Sequence, residues 1–274
     1  MQYLTWTYYF RRLLKNVSYY GLELPDHGTV NEGNISDGLI EKHLAHFVLS
    51  TLEDLKRAGC IQVVTDEGDD TPNLADGQYL STHLGMVAAY YYLNYRTPLM
   101  FRDRLNALVI EEEDYPIPLE AEVSKTIPVA SPYSYYTMQL LLLLCDAYEF
   151  AELPVRHNEE FLNAQLAESI DSVIHINAPG GTSMSISEFL LERGSFKSPH
   201  SKAFLLLLVH LLDSENVELP ISDFINDTNS ILDQISRVLN AQVDVAADEG
   251  LMRMVMRLFT LSQMLQQVTN NQYA

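Results

Sequence analysis

The chain reads as mainly α, with one small β-hairpin in its first third and then a multi-helix bundle built around one long central helix. Three observations predict this. From about residue 82 onward the apolar residues recur three and four apart and no strand signal is evident. Residues 135–150 are apolar nearly all round and 251–268 on most sides, and with 198–212, which carries KAFLLLLVHLL, they belong at the centre of a bundle. Residues 223–250, DFINDTNSILDQISRVLNAQVDVAADEG, read as a single long helix with two unlike faces.

The chain has 274 residues, enough for one large domain or two smaller ones. Its hydrophobic content of 47% is ample for a core. The net charge of −20, from 17 Lys+Arg against 37 Asp+Glu, argues against a broad phosphate-binding surface. Any nucleic-acid contact has to be local. The two cysteines, Cys60 and Cys145, suggest no disulfide framework and fit a reducing compartment. The apolar run 138–145 is too short to span a bilayer, and Arg11 and Arg12 interrupt the aromatic N-terminal stretch. A soluble intracellular protein without membrane partners is expected.

Residues 3–15 read as a helix with an aromatic face (Tyr3, Trp6, Tyr9, Phe10, Leu13) and a basic patch (Arg11, Arg12, Lys15). A loop over 16–33 precedes an amphipathic helix over 36–58, with Ser36 as N-cap and Gly59 as its stop. CIQVVT at 60–65 is strand-like. The acidic turn DEGDD at 66–70 leads to a return strand near 78–81. A helix followed by a hairpin fits the second half of a winged helix, and it equally fits a hairpin of no special type. Helices follow at about 83–95 and 97–106. Two insertions are expected at 107–132, with its EEED and four prolines, and at 171–196, an irregular stretch around Pro179-Gly180-Gly181 with a short helix near 186–192. Residues 157–169 form a shorter helix, and Pro199 opens the next from its first turn. A last, Met-rich helix covers 251–268. The long helix has N-cap oxygens at Asp227 and Thr228 and a stop at Gly250. Ile231, Leu232, Ile235, Val238, Leu239, Val243 and Val245 form its packing face, and Gln234, Arg237 and Asn240 a polar row elsewhere.

The sequence holds no phosphate cradle of the form GxxxxGK[ST]. Gly180-Gly181 reads as a turn. His43 and His46 form HxxH without a third ligand, so no metal site is expected. Arg156-His157-Asn158-Glu159 reads as a capped helix start with an ionic network, and Ser198-Pro199-His200 as a helix N-terminus. No nucleophile elbow accompanies them. No catalytic residue is assigned.

Five ordered stretches then matter together: YLTWTYYFRRLLKNVSYYGL (3–22), LGMVAAYYYLNYRT (84–97), ELPVRHNEEFLNAQLA (152–167), SPHSKAFLLLLVHL (198–211) and the long helix with its lead-in, LPIS (219–250). They resemble the C-terminal cassette of the large tandem-cassette RNA helicases of the Ski-two-like group. Such a cassette has two RecA-like domains, a winged helix, and a unit homologous to the translocon protein Sec-sixty-three. The resemblance implies that 1–81 is the later part of a winged helix and 82–274 the helical bundle. It also implies a segment of a longer protein, lacking the ATP- and Mg-binding RecA domains, so that no cofactor is expected in this segment.

Two subfamilies compete. One is the cointegrator-complex helicases, with a ribosome-quality-control trigger helicase as fungal counterpart; the other is the spliceosomal helicases that unwind paired small nuclear RNAs. LPVRHNE at 153–159 and SILDQ at 230–234 look more like the first. The resemblance makes the long helix a ratchet helix that lays polar side chains along single-stranded RNA, here Gln234, Arg237 and Asn240. Asn240 stands where active cassettes often carry a base, which implies weak RNA contact. For Arg237 a salt bridge to an acidic neighbour is the alternative. Implied partners are the RecA domains of the same helicase, helicase-complex subunits or the ribosome, in the cytoplasm or also the nucleus. A pure protein-interaction scaffold is the reading without RNA.

Overall fold

The computed structural model describes residues 3–22, 32–64, 78–114, 134–178, 183–191, 195–212 and 217–272. The chain divides into two compact units, Met1–Thr82 and His83–Ala274.

In the first unit a 3-10 turn, Leu4–Trp6, precedes helix α1 (Tyr8–Lys15). The stretch expected as one helix is split at Thr7. Its extended backbone and its side chain, which accepts from Phe10 N, make it an N-cap. Helix α2 (Glu32–Arg57) begins upstream of Ser36, the expected cap. A residue of capping type does not by itself stop a helix from extending past it. Gly59, at φ 68°, ends α2 with Cys60 N donating to Leu55 O, the 6→1 bond of a left-handed C-cap. Strands β1 (Ile61–Val64) and β2 (Gln78–Ser81) pair antiparallel, Ile61 opposite Ser81 and Val64 opposite Gln78. The acidic turn 66–70 lies outside the described residues. Leu13, Ile40 and Leu44 form this unit's buried cluster, with Tyr9, Phe10 and Tyr20 against it.

The second unit is helical. Helix α3 (His83–Tyr90) is shorter than expected, because Tyr92 turns left-handed at φ 52° and Leu93 N closes back on Ala88 O. Helix α4 (Arg96–Asp114) runs through the start of the expected first insertion. Its last turns are held by burial: Leu108 packs in the core and Glu112 is enclosed beside Arg253 and Arg257. Pro116, Pro118, Pro128 and Pro132 lie outside the described residues.

Helix α5 (Tyr135–Cys145) is capped by Ser134, and every residue from Tyr136 to Cys145 is buried. A 3-10 turn, Tyr148–Phe150, covers the end of the stretch expected to continue as helix. Helix α6 (Glu159–Asp171) follows a left-handed Asn158. The second expected insertion is partly core. A two-residue ladder, β3 (Ile176–Asn177) with β4 (Ser183–Met184), leads into α7 (Ile186–Leu191), which buries Ile186, Phe189 and Leu190. The expectation of no strand beyond the hairpin therefore fails at this ladder, which is too short to show a period of two. Gly180-Gly181 lies outside the described residues. The Asp171 carboxylate accepts from Ile186 N, Ser187 N and the Ser187 hydroxyl, satisfying the open donors at the start of α7.

Helix α8 (Pro199–Leu211) has Ser198 as N-cap and is buried from Lys202 to Leu211. The long helix α9 (Asp223–Asp248) packs against α3, α4, α5, α8 and the last helix, α10 (Met252–Gln272). Gly250, at φ 73°, ends it as expected. Its start does not follow the expectation: α9 begins four residues before Asp227, whose carboxylate turns inward to buried cations.

Candidate nucleic-acid interface

The packing face of α9 is the expected one. Ile231, Ile235, Val238, Leu239 and Val245 are buried, with Leu232 and Val243 partly so. The polar row divides. Among the described residues the Arg237 guanidinium reaches no carboxylate: Nη1 donates to Tyr91 O at 3.1 Å and Tyr92 O at 2.7 Å, and Nη2 to Gln234 Oε1 at 2.9 Å. Gln234 and Arg237 thus act together, and both are half-buried. Arg237 satisfies carbonyls that the left-handed turn at Tyr92 leaves without a helical partner, and Gln234 holds the guanidinium in place. The alternative of a salt bridge for Arg237 is replaced by this clamp. Asn240 is exposed and lines a cleft of about 400 Å³ between α9 and α10, with Ser236, Ser262 and Gln266.

The rest of this face is acidic. Asp233 is exposed, the Asp244 carboxylate accepts from the Tyr91 hydroxyl at 2.7 Å, and Asp248 meets His83 Nδ1 at 3.0 Å. Burial and the bond to Asp244 push the Tyr91 hydroxyl up to about 12, so it remains a donor at neutral pH. A phosphate approaching α9 meets three carboxylates and one guanidinium already engaged with carbonyls.

A second cluster fixes how α9 is seated. Lys202 on α8 is 0% exposed, and its Nζ donates to Asp227 Oδ2 at 2.7 Å, Glu159 Oε2 at 2.9 Å and Pro154 O at 2.7 Å. Arg156 Nη1 reaches Asp227 Oδ2 and Glu159 Oε1, each at 2.7 Å, and its Nε lies 3.3 Å from Asp223. Burial alone would raise both carboxyls. For Glu159 the bonds from Lys202 and Arg156 outweigh it, and for Asp227 those from Arg156 and Lys202, so both lie below the usual carboxylate range. The expected ionic network at 156–159 is therefore present, and it ties α6, α8 and α9 together. Lys202, its centre, was not anticipated. The signal was available: a Lys in the turn just ahead of the apolar run FLLLLVHLL has to be paired if that helix is buried.

His43 Nε2 meets the Tyr9 hydroxyl at 3.1 Å, and His200 Nδ1 meets Cys145 O at 2.8 Å, so both serve packing. Among the described residues no group of three His, Cys, Asp or Glu is gathered for a metal ion. No described helix is long and apolar enough to cross a membrane.

Residues 134–272, more than half of the chain, match the family described as Sec63 Brl domain. The chain belongs to the Sec63 Brl family. In this family member, residues 1–65 also match a Winged Helix-turn-helix domain, which decides between the two readings of the N-terminal hairpin. Similar proteins include Activating signal cointegrator 1 complex subunit 3 of Homo sapiens, 35% identical over 97% of this chain and 9% of that protein. The DExH-box ATP-dependent RNA helicase DExH14 of Arabidopsis thaliana is 32% identical, and the U5 small nuclear ribonucleoprotein 200 kDa helicase of Homo sapiens 30%, over the same shares. The Sec63 Brl chain thus spans about a tenth of the length of these relatives.

Proposed function

We propose that this chain is a non-catalytic accessory region of an ATP-dependent RNA helicase, bracing RecA motor domains that hold ATP and Mg and lie elsewhere in the longer protein. The observation that carries the reading is α9. It is gripped by five other helices and an inward-facing ion cluster, yet keeps one polar stripe open to solvent. A rigid strut of this kind suits transmitting motor movement. Along the stripe, the exposure of Asn240 beside a cleft supports it as the residue that meets single-stranded RNA, while Arg237, held by Gln234, positions the end of α3.

Relatedness supports a setting. Identity of 35% to the cointegrator subunit against 30% to the U5 helicase favours ribosome quality control over the spliceosome, with complex subunits or stalled ribosomes as partners, in the cytoplasm and also the nucleus. A docking role without RNA has one observation in its favour, the acidic face formed by Asp233, Asp244 and Asp248.

Asn240→Asp in the full-length helicase separates these. Strand guidance predicts a several-fold loss of unwinding with ATP hydrolysis retained. Unwinding equal to the parent would remove strand guidance and leave bracing or docking. Sedimentation of the same helicase with collided ribosomes, lost on deleting 83–274, is the expected result for the ribosomal setting.

A further inference from the structure

The basic-aromatic patch of α1 has no part in the reading above. Residues 3–22 contain Arg11, Arg12 and Lys15 and not one Asp or Glu, in a chain of net charge −20. Helix α1 turns Leu13 into the core. Tyr8, Arg11, Arg12 and Lys15, spaced i, i+3, i+4 and i+7, then share the opposite, exposed face. Among the described residues none of the three cations is paired with a carboxylate. Arg12 instead lies 5.8 Å from the centre of the Tyr19 ring. The turn before α1 adds Tyr3 and Trp6, edge to face at 6.2 Å, and Trp6 is 78% exposed. Tyr8 and Tyr19 are exposed to a similar degree.

We propose that this face of α1, with the turn that precedes it, is a binding platform for single-stranded RNA. Arg11, Arg12 and Lys15 meet successive phosphates, and Trp6, Tyr3 and Tyr8 stack unpaired bases. Cations interleaved with open aromatic rings are the arrangement by which single strands are held without reading their sequence. A protein interface also uses Tyr, Trp and Arg, but it is depleted of Lys and sets them around an apolar centre. Here the centre of the face is cationic, and Leu14, the exposed aliphatic residue of α1, lies to one side. The proposal rests on the RNA-helicase reading and is independent of Asn240.

Trp6 is the single tryptophan of the chain, so its emission reports on the platform directly. Titrating the whole chain with a short fluorescein-labelled oligouridine at low salt should quench Trp6 and raise the label's anisotropy together. The affinity should fall with salt at a logarithmic slope of roughly −2, as expected for three phosphate contacts on a single strand. Arg11→Glu with Arg12→Glu should lower affinity at least tenfold, while Arg11→Lys with Arg12→Lys should stay within a few-fold of the parent, with unchanged circular dichroism in both.

Absence of quenching at low salt would overturn the proposal, as would binding indifferent to the charge reversals. Binding lost in Asn240→Asp but kept in the reversals would place the strand on α9, overturning this inference while the helicase reading stands. Equal quenching by polyglutamate would show an acidic protein to be the occupant and overturn it too.

Discussion

Arg237 shows how a residue chosen for one chemistry can be occupied by another. A guanidinium on a polar helix face suits a phosphate, but here it holds two carbonyls at a strained turn. Arg237→Ala removes a donor that water replaces at Tyr92 O and only partly at Tyr91 O, and is expected to lower the unfolding free energy by about 1 kcal/mol, read from urea unfolding. Tyr92 is the other half of the device. It is 86% exposed and left-handed, a conformation that disfavours any side chain larger than glycine's. Tyr92→Gly should therefore stabilise by about 1 kcal/mol, since little packing is lost. Lys202 is a stronger case. Lys202→Ala leaves Glu159 and Asp227 with Arg156 as their one cation among the described residues, so that one buried negative charge is uncompensated, and should cost about 3–5 kcal/mol.

The same two carboxyls give the cluster its pH dependence. Their folded pKa values lie below the unfolded ones, so the unfolded chain takes up protons first as pH falls. The stability they contribute is fully present above about pH 4, the ordinary carboxyl range, and is lost as pH falls through the lowered folded values. Urea midpoints between pH 7 and pH 2 should show that fall, and Asp227→Asn should make it shallower.

At the scale of elements, helix ends were legible where a glycine stop or a serine cap marks them, as at Gly59, Gly250, Ser134 and Ser198, and less so elsewhere. Gly59 and Gly250 mark their stops in sequence because a left-handed C-cap favours glycine, and both are found there. Gly250→Ala meets open space at its Cβ but keeps the positive φ, so a loss of about 1 kcal/mol is expected in thermal unfolding. Tyr92 does the same work at the end of α3 with no sequence signal at all. The expected caps at Ser36, Asp227 and Thr228 misled, because Ser, Thr and Asp have uses other than capping. Thr228 Oγ1 donates back to Phe224 O within α9, and Asp227 serves Lys202. The reach of α4 to Asp114 depends on Glu112 meeting Arg257 at 2.9 Å and Arg253 at 3.2 Å from another helix, a pairing local pattern does not contain.

For the whole molecule, each unit builds its core from its own residues. The second unit's cluster runs from Leu84 to Leu265, whereas the first unit's described cluster is Leu13, Ile40 and Leu44. Residues 83–274 expressed alone should keep a cooperative thermal transition with high helical ellipticity. Residues 1–82 alone should unfold at lower temperature, since so small a core leaves a short chain marginal.

The sequence by itself determined the helical class, the central position of α5 and α8, the packing face of α9 and the family, because apolar periodicity and ordered motifs are local properties of the chain. It also showed the polar row as three residues of one kind. Tertiary structure alone decided that Gln234 and Arg237 clamp the end of α3 while Asn240 opens on a cleft. Helical spacing places a side chain on a face, but which neighbouring carbonyl, carboxylate or solvent that face meets depends on how the other helices pack around it.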